Sequence, residues 1–271
     1  MVSILCILLL GLLEGITEWL PVSSTGHLIL LEDRLPLVMS SEFRDLFDVV
    51  IQLGAILAVL CLYREELDPF PKKGTDRSRT LRLWGCILVG VLPSAILGVL
   101  LDGWIFTHFF SPETVAIMLI LWGVLFLLTE LILKKRTPSV TSTEELTLGQ
   151  SLLIGLWQVA SLVPGTSRSG ATVLGARLLG CSRECAARFS FFLAIPTMMG
   201  ASLLKGIGFV MSGYRLSAEE LLWLGAGTLT AFAVSMMTLR FLTDYVRRHG
   251  FSAFGIYRIA LGILVLTDYF F

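Results

Sequence analysis

The sequence predicts an all-α polytopic membrane protein: six transmembrane helices plus two re-entrant helical hairpins, arranged as inverted-topology repeats. Three observations predict it. The 271 residues are 55% hydrophobic and only 15% charged, with mean hydropathy +0.81, against about 25% charged in ordinary soluble domains. Six apolar runs have about the length a bilayer needs, near 20 residues at a rise of about 1.5 Å each. Two further apolar runs break at Pro and Gly and carry ionisable and hydroxyl side chains where lipid would be expected. The formal net charge is zero, so there is no case for a nucleic-acid partner.

The first hairpin is expected over 2–31. Residues 2–20 are apolar apart from Ser3, Glu14, Thr17 and Glu18. Pro21 ends the run, Val-Ser-Ser-Thr-Gly follows, and a short apolar piece, His27–Leu31, stops at Glu32-Asp33-Arg34. That piece is too short to span, so the chain enters and leaves on one side. The run lacks a basic start, and its two glutamates sit where a cleavage region would lie, so it reads as mature structure, not as a signal peptide. Spans follow at about 45–63, 83–101 and 113–133, joined by a polar loop, a short turn at Asp102–Pro112 and a basic link at Lys134–Glu145.

Then the pattern restarts. A second hairpin is expected over 148–179, broken at Pro164-Gly165, with spans at about 186–204, 218–239 and 252–270. The 271 residues form one membrane domain of two repeats, about 1–135 and 146–271. Gly11-Leu12-x-Glu14 falls on Gly155-Leu156-x-Gln158, 144 residues on. Three spans per repeat is an odd number, so the second copy is inverted, and inverted repeats place their broken helices at the midplane around one site. Lys and Arg concentrate in 64–82, 134–136 and 240–248. By the positive-inside rule that side is cytoplasmic, which puts both termini and the mouth of the first hairpin outside. The five cysteines form no metal or disulfide pattern. Trp19, Trp84, Trp104 and Trp223 suit interfacial belts, and Glu130 is expected to snorkel or pair with Lys134.

The breaks carry the chemistry. A carboxylate at membrane depth costs about 2.5–3.5 kcal/mol on insertion scales. Glu14 and Glu18 are four apart, hence on one helix face about 6 Å apart along the axis. Sharing a hard cation such as Mg²⁺ or Ca²⁺ relieves their repulsion; so does sharing a proton. Ser23, Ser24 and Thr25 precede Gly26 and His27 at a short helix start, a natural anion site. Ser24 and His27 are three apart, so the imidazole can approach the hydroxyl and activate it; N-capping alone explains Ser23 or Ser24, but not His27 and both glutamates. Thr166-Ser167-Arg168-Ser169-Gly170 repeats this theme, with a guanidinium whose planar fork suits phosphate. Arg168 can equally bridge to Glu14 or Glu18, with substrate replacing the bridge. Together these residues describe a site for a phosphorylated lipid or phosphate-bearing solute.

The motifs Glu14-Gly-x-Thr-Glu18-x-x-Pro-Val-Ser-Ser-Thr-Gly-His27 and Pro164-Gly-Thr-Ser-Arg-Ser-Gly-Ala-Thr172 closely resemble the two signatures of the undecaprenyl-diphosphate phosphatase family, the bacitracin-resistance proteins. Phe189-Ser190-Phe191 adds to the resemblance. It implies hydrolysis of undecaprenyl diphosphate to the monophosphate, recycling the carrier lipid for cell-wall synthesis, with resistance to bacitracin as a consequence. It also implies interlocked inverted repeats, a bacterial inner-membrane location with the site open to the periplasmic side, dependence on a divalent cation, and a homodimer among membrane lipids. Carried over by position, Glu14 and Glu18 match the acidic motif and the candidate metal ligands. Ser24 matches the nucleophile, and His27 its acid/base partner. Ser23, Thr25, Ser167, Arg168, Ser169, Thr172 and, further along, Arg258 match residues on the diphosphate. A lipid-phosphate flippase using the same midplane site is the rival reading; an intramembrane hydrolase of another bond leaves Arg168 without a purpose.

Overall fold

The computed structural model describes residues 4–24, 26–27, 39–70 and 77–270. Those residues are helical and turn, with one isolated bridge between Val140 and Cys181. Six helices are long and apolar enough to cross a membrane. They are α2 (Ser41–Leu62), α3 (Arg77–Phe109), α4 (Pro112–Leu133), α7 (Arg183–Ser212), α8 (Ala218–His249) and α9 (Ser252–Phe270). Three shorter helices accompany them: α1 (Ile4–Thr17), α5 (Leu148–Val159) and α6 (Arg168–Leu178). A single turn, Arg64–Leu67, follows α2.

Most helix starts have a local cause. Ser40, Ser111, Thr147, Ser182 and Ser217 each accept a hydrogen bond from an amide in the first turn, which satisfies an otherwise orphaned donor. Thr147–Gln150 and Ser217–Glu220 do so reciprocally as capping boxes. Gly213 ends α7 at φ 71°, a left-handed stop that glycine adopts freely.

Three spans run longer than expected. The turn expected at Asp102–Pro112 is helical to Phe109, so α3 has 33 residues; no proline stands between 94 and 111 to stop it. Likewise α7 continues to Ser212 and α8 to His249. The added turns of α8 end in Arg247, Arg248 and His249, and the two arginines complement a helix C-terminus. Pro93 and Pro196 lie within α3 and α7, as proline can in membrane helices.

Packing places the two short leading helices on distant partners. α1 lies along α8, α5 along α3, and α4 against α9, while α2 packs on both α7 and α8. Small residues permit these approaches. A Cβ on Gly155 would overlap the Gly90 carbonyl, and one on Gly11 would overlap the Gly227 carbonyl. Outward faces are apolar: Val99, Leu131, Val210 and Met211 are each at least 69% exposed. An apolar surface of that extent on helices of spanning length belongs in lipid, so the chain is a multi-pass membrane protein. Two side chains sit elsewhere than expected. Trp19 is fully buried, edge-on to Phe191, not in an interfacial belt. Glu130 is buried and ion-paired with Arg183, not with Lys134, since a bidentate guanidinium offsets carboxylate burial better than a flexible ammonium.

Candidate active site

Both breaks converge on one cavity of about 170 Å³. From the first come Thr17, Glu18, Ser23 and Ser24; from the second come Ser161, Val163, Pro164, Gly165, Ser167 and Arg168. The two approaches are built alike. α1 ends at Thr17, whose hydroxyl donates back to the Leu13 carbonyl, and turns lead to Ser23. α5 ends at Val159 and tightens into a 3₁₀ turn, Ala160–Leu162, before the chain turns towards Ser167. Ser23 and Ser167 have φ of 71° and 70°, and they are the non-glycine residues of positive φ among those described. Such a backbone costs of order 1–3 kcal/mol and persists only where its surroundings enforce it. The two serines are 144 residues apart, the spacing of the Gly11 and Gly155 motifs.

Arg168 is the centre of charge. Its Nη2 donates to Glu18 Oε1 at 2.8 Å, and the two side chains are 11% and 12% exposed. Its Nη1 donates to the Ser190 carbonyl at 2.6 Å, and its guanidinium lies 5.9 Å from the Trp19 ring. The Glu18 bridge foreseen as an alternative is therefore present, at the wall of a cavity where a phosphate could compete for the same fork. Ser167 caps α6, accepting from the Gly170 amide at 3.1 Å, so the positive end of that helix dipole opens at the cavity.

Glu14 is buried one turn behind Glu18, and its Oε1 has no hydrogen-bond partner. Its electrostatic neighbours are Glu18, Asp48 of α2 and Arg168. An orphaned carboxylate oxygen beside a second carboxylate is the donor chemistry of Mg²⁺ or Ca²⁺. Among the described residues no group of three His, Cys, Asp or Glu is clustered to hold a metal. Two carboxylates supply part of the oxygen donor set such a cation takes.

The remaining candidates lie behind the wall. The Ser169 hydroxyl contacts that of Ser167 at 3.2 Å and donates to the Leu20 carbonyl at 3.3 Å. Thr172 is fully buried, its hydroxyl among the Arg168 carbonyl, the Ser169 carbonyl and Ser190 Oγ, the last at 2.7 Å. Arg258 of α9 is fully buried and donates to the carbonyls of Pro21, Gly165 and Thr166 at 3.1, 2.8 and 3.0 Å. It ties both breaks to one helix. His27 does not line the cavity; its nitrogens meet the Ser23 carbonyl and the Tyr257 hydroxyl, both at 2.7 Å. Thr25 and the return piece after His27 lie outside the described residues. Sequence reasoning missed Tyr257 and the role of Ser190. The signal for Ser190 was a lone hydroxyl between phenylalanines in an apolar span; Tyr257 had none beyond adjacency to Arg258.

Fold and site define a polytopic membrane protein whose paired helix breaks present hydroxyls and an Arg–Glu pair to one polar cavity, with a second buried acid one turn behind it. The family model described as "Bacitracin resistance protein BacA" matches residues 7–264. A protein named undecaprenyl-diphosphatase from Enterococcus faecalis is 48% identical, covering 98% of this chain and 96% of that protein. Those of Acetivibrio thermocellus and Streptococcus pyogenes serotype M1 are 49% and 47% identical, over 98% and 100% of this chain and 97% and 98% of theirs. The chain belongs to the bacitracin resistance protein family.

Proposed function

We infer that this chain is an undecaprenyl-diphosphatase, an integral membrane hydrolase releasing inorganic phosphate from undecaprenyl diphosphate and leaving the monophosphate. The observation that carries the reading is the cavity where Ser24 meets the Arg168–Glu18 pair. A transporter could use a midplane cavity too, but the relatives over the whole chain carry a hydrolase name, and the flippase alternative has no comparable support.

The terminal phosphoryl group enters the cavity, and its equatorial oxygens take the Arg168 fork and the amides at the start of α6. Either a water attacks the terminal phosphorus in line and inorganic phosphate forms directly, or Ser24 Oγ attacks and a water then hydrolyses the resulting phosphoserine, releasing inorganic phosphate and restoring the hydroxyl. The bond to the bridging oxygen breaks, and the lipid phosphate leaves with that electron pair. Charge spreads over the transferred group, and fixed donors stabilise it without reorganising. Glu18, released from Arg168 as phosphate takes its place, is the carboxylate among the cavity-lining residues and accepts the proton. Glu14 and Glu18 would hold a divalent cation, Mg²⁺ or Ca²⁺; when bound it neutralises diphosphate charge. Ser23, Thr25 and Ser167 belong to the headgroup subsite. Ser169, Thr172 and Arg258 shape it from behind.

Two repeats, about 1–135 and 146–271, interlock in this reading. The support is that each short leading helix packs on the second span of the other half, α1 on α8 and α5 on α3, while α4 meets α9. Repeats of opposite orientation place both hairpins at the midplane. Both termini and the cavity mouth then face the outer side of a bacterial inner membrane, and two copies assemble as a homodimer among membrane lipids.

The test is phosphate release from undecaprenyl diphosphate by purified protein in detergent, with and without chelator, beside Arg168→Ala and Glu18→Ala. Cation-dependent release lost in both folded variants supports the assignment. No release by well-folded wild type with Mg²⁺ or Ca²⁺ present overturns it, and a lipid-phosphate transport assay in liposomes then examines the flippase.

A further inference from the structure

Ser23 holds a backbone that serine avoids, and something must enforce it. The Ser23 carbonyl receives a hydrogen bond from Nδ1 of His27 at 2.7 Å. A carbonyl oxygen only accepts, so Nδ1 carries the proton. In the neutral ring Nε2 is then an acceptor, and the Tyr257 hydroxyl stands 2.7 Å from it. The two rings stack, with centroids 5.6 Å apart and planes 14° off parallel. Both imidazole nitrogens are thereby engaged, and neither meets Ser24. Burial of the ring disfavours a positive charge on it, and the Arg258 guanidinium, next in sequence to Tyr257, adds to this.

We propose that His27 and Tyr257 are positioning residues: a strut from α9 that holds the strained Ser23 peptide and so aims the Ser24 hydroxyl into the cavity. The proposal rests on the phosphatase reading and assigns His27 a mechanical part in place of proton transfer. Tyr257 fixes the Nδ1–H tautomer, and the stacked ring fixes the direction of that proton. α9 then serves both breaks by two adjacent residues, Arg258 through the Pro21, Gly165 and Thr166 carbonyls and Tyr257 through His27.

Asparagine separates a strut from an acid/base group, because its side-chain amide puts an N–H where Nδ1 sits yet cannot exchange a proton near neutrality. Full-length protein in detergent is assayed for phosphate release as His27→Asn, His27→Ala and Tyr257→Phe, with thermal melting to establish folding. The expectation is that His27→Asn stays within about tenfold of wild type in kcat and keeps the wild-type pH profile. His27→Ala falls about a hundredfold, and Tyr257→Phe loses about three- to tenfold in kcat with KM unchanged. A folded His27→Asn as inactive as His27→Ala, or one that loses a limb of the pH profile, overturns the strut. ¹⁵N NMR of histidine-labelled protein, with His108→Gln and His249→Gln to leave one signal, reads the geometry without activity. The strut requires the Nδ1–H tautomer, with an Nε2 shift that moves in Tyr257→Phe; an Nε2–H tautomer overturns it. Wild type that releases no phosphate removes the phosphatase reading, and the NMR result stands apart from that failure.

Discussion

Arg168 already has two acceptors, the Glu18 carboxylate and the Ser190 carbonyl, so a substrate phosphate competes with an existing ion pair. The charge alone does not supply this; the planar fork does. Arg168→Lys keeps the charge and loses the second bond, and phosphate release should fall about 10- to 100-fold, mostly in kcat. Ser190→Ala removes a hydroxyl that Arg168 meets at 3.4 Å but leaves the carbonyl it meets at 2.6 Å, so kcat should change by less than about fivefold, because one such hydrogen bond is worth about 1 kcal/mol. A larger loss would mean that the Thr172–Ser190 bond orients Arg168. At this scale the sequence named residue types well and directions poorly. Glu18, Ser24 and Arg168 face the cavity as their motifs imply. Thr172 and Arg258 carry the same polar chemistry but point into backbone, and no local pattern separates the two cases.

Helix pairs show where composition stops being informative. Gly155 reads as an ordinary glycine in an apolar helix, yet it is the point where α5 rests on Gly90 of α3. Gly155→Ala should destabilise by about 1–3 kcal/mol through overpacking, while Gly200→Ala, with open space at its Cβ in the interior of α7, should be neutral to stabilising, by up to about 1 kcal/mol. Thermal unfolding in one detergent compares the two. The link between α4 and α5 has its own pH dependence. The Thr141 amide, with that of Ser142, holds the Glu145 carboxyl below its usual range. A depressed carboxylate stabilises the fold above its unfolded pKa, and the contribution disappears as pH falls through the folded value. The protection factors of the Thr141 and Ser142 amides, exchange being taken relative to the intrinsic rate at each pH, should therefore fall on acidification, and Glu145→Gln should abolish that change. Span lengths were legible to within a turn where proline or a polar cluster ended them. They failed at Arg77, Phe109, Ser212 and His249, where the helix runs past the apolar stretch with no proline to stop it.

For the whole molecule, basic residues on one set of loops and an even number of spans predict both termini on the outer side. Tags at either end should react with an impermeant reagent on intact cells, and a cysteine in the 134–136 link should not; the opposite labelling would reverse the orientation of the site. Hydrophobic runs and the bilayer's thickness suffice to fix six spans from sequence, because an unsatisfied backbone cannot lie in lipid. The motif pair likewise sufficed to mark two polar breaks, because charge at that depth is too costly without a use. What only the tertiary structure decided is which groups at those breaks meet. The Glu18–Arg168 pair spans 150 residues, and the His27–Tyr257 contact spans 230. Contacts at that separation depend on how α1 and α5 dock on helices of the opposite half, a packing outcome that neither periodicity nor spacing encodes.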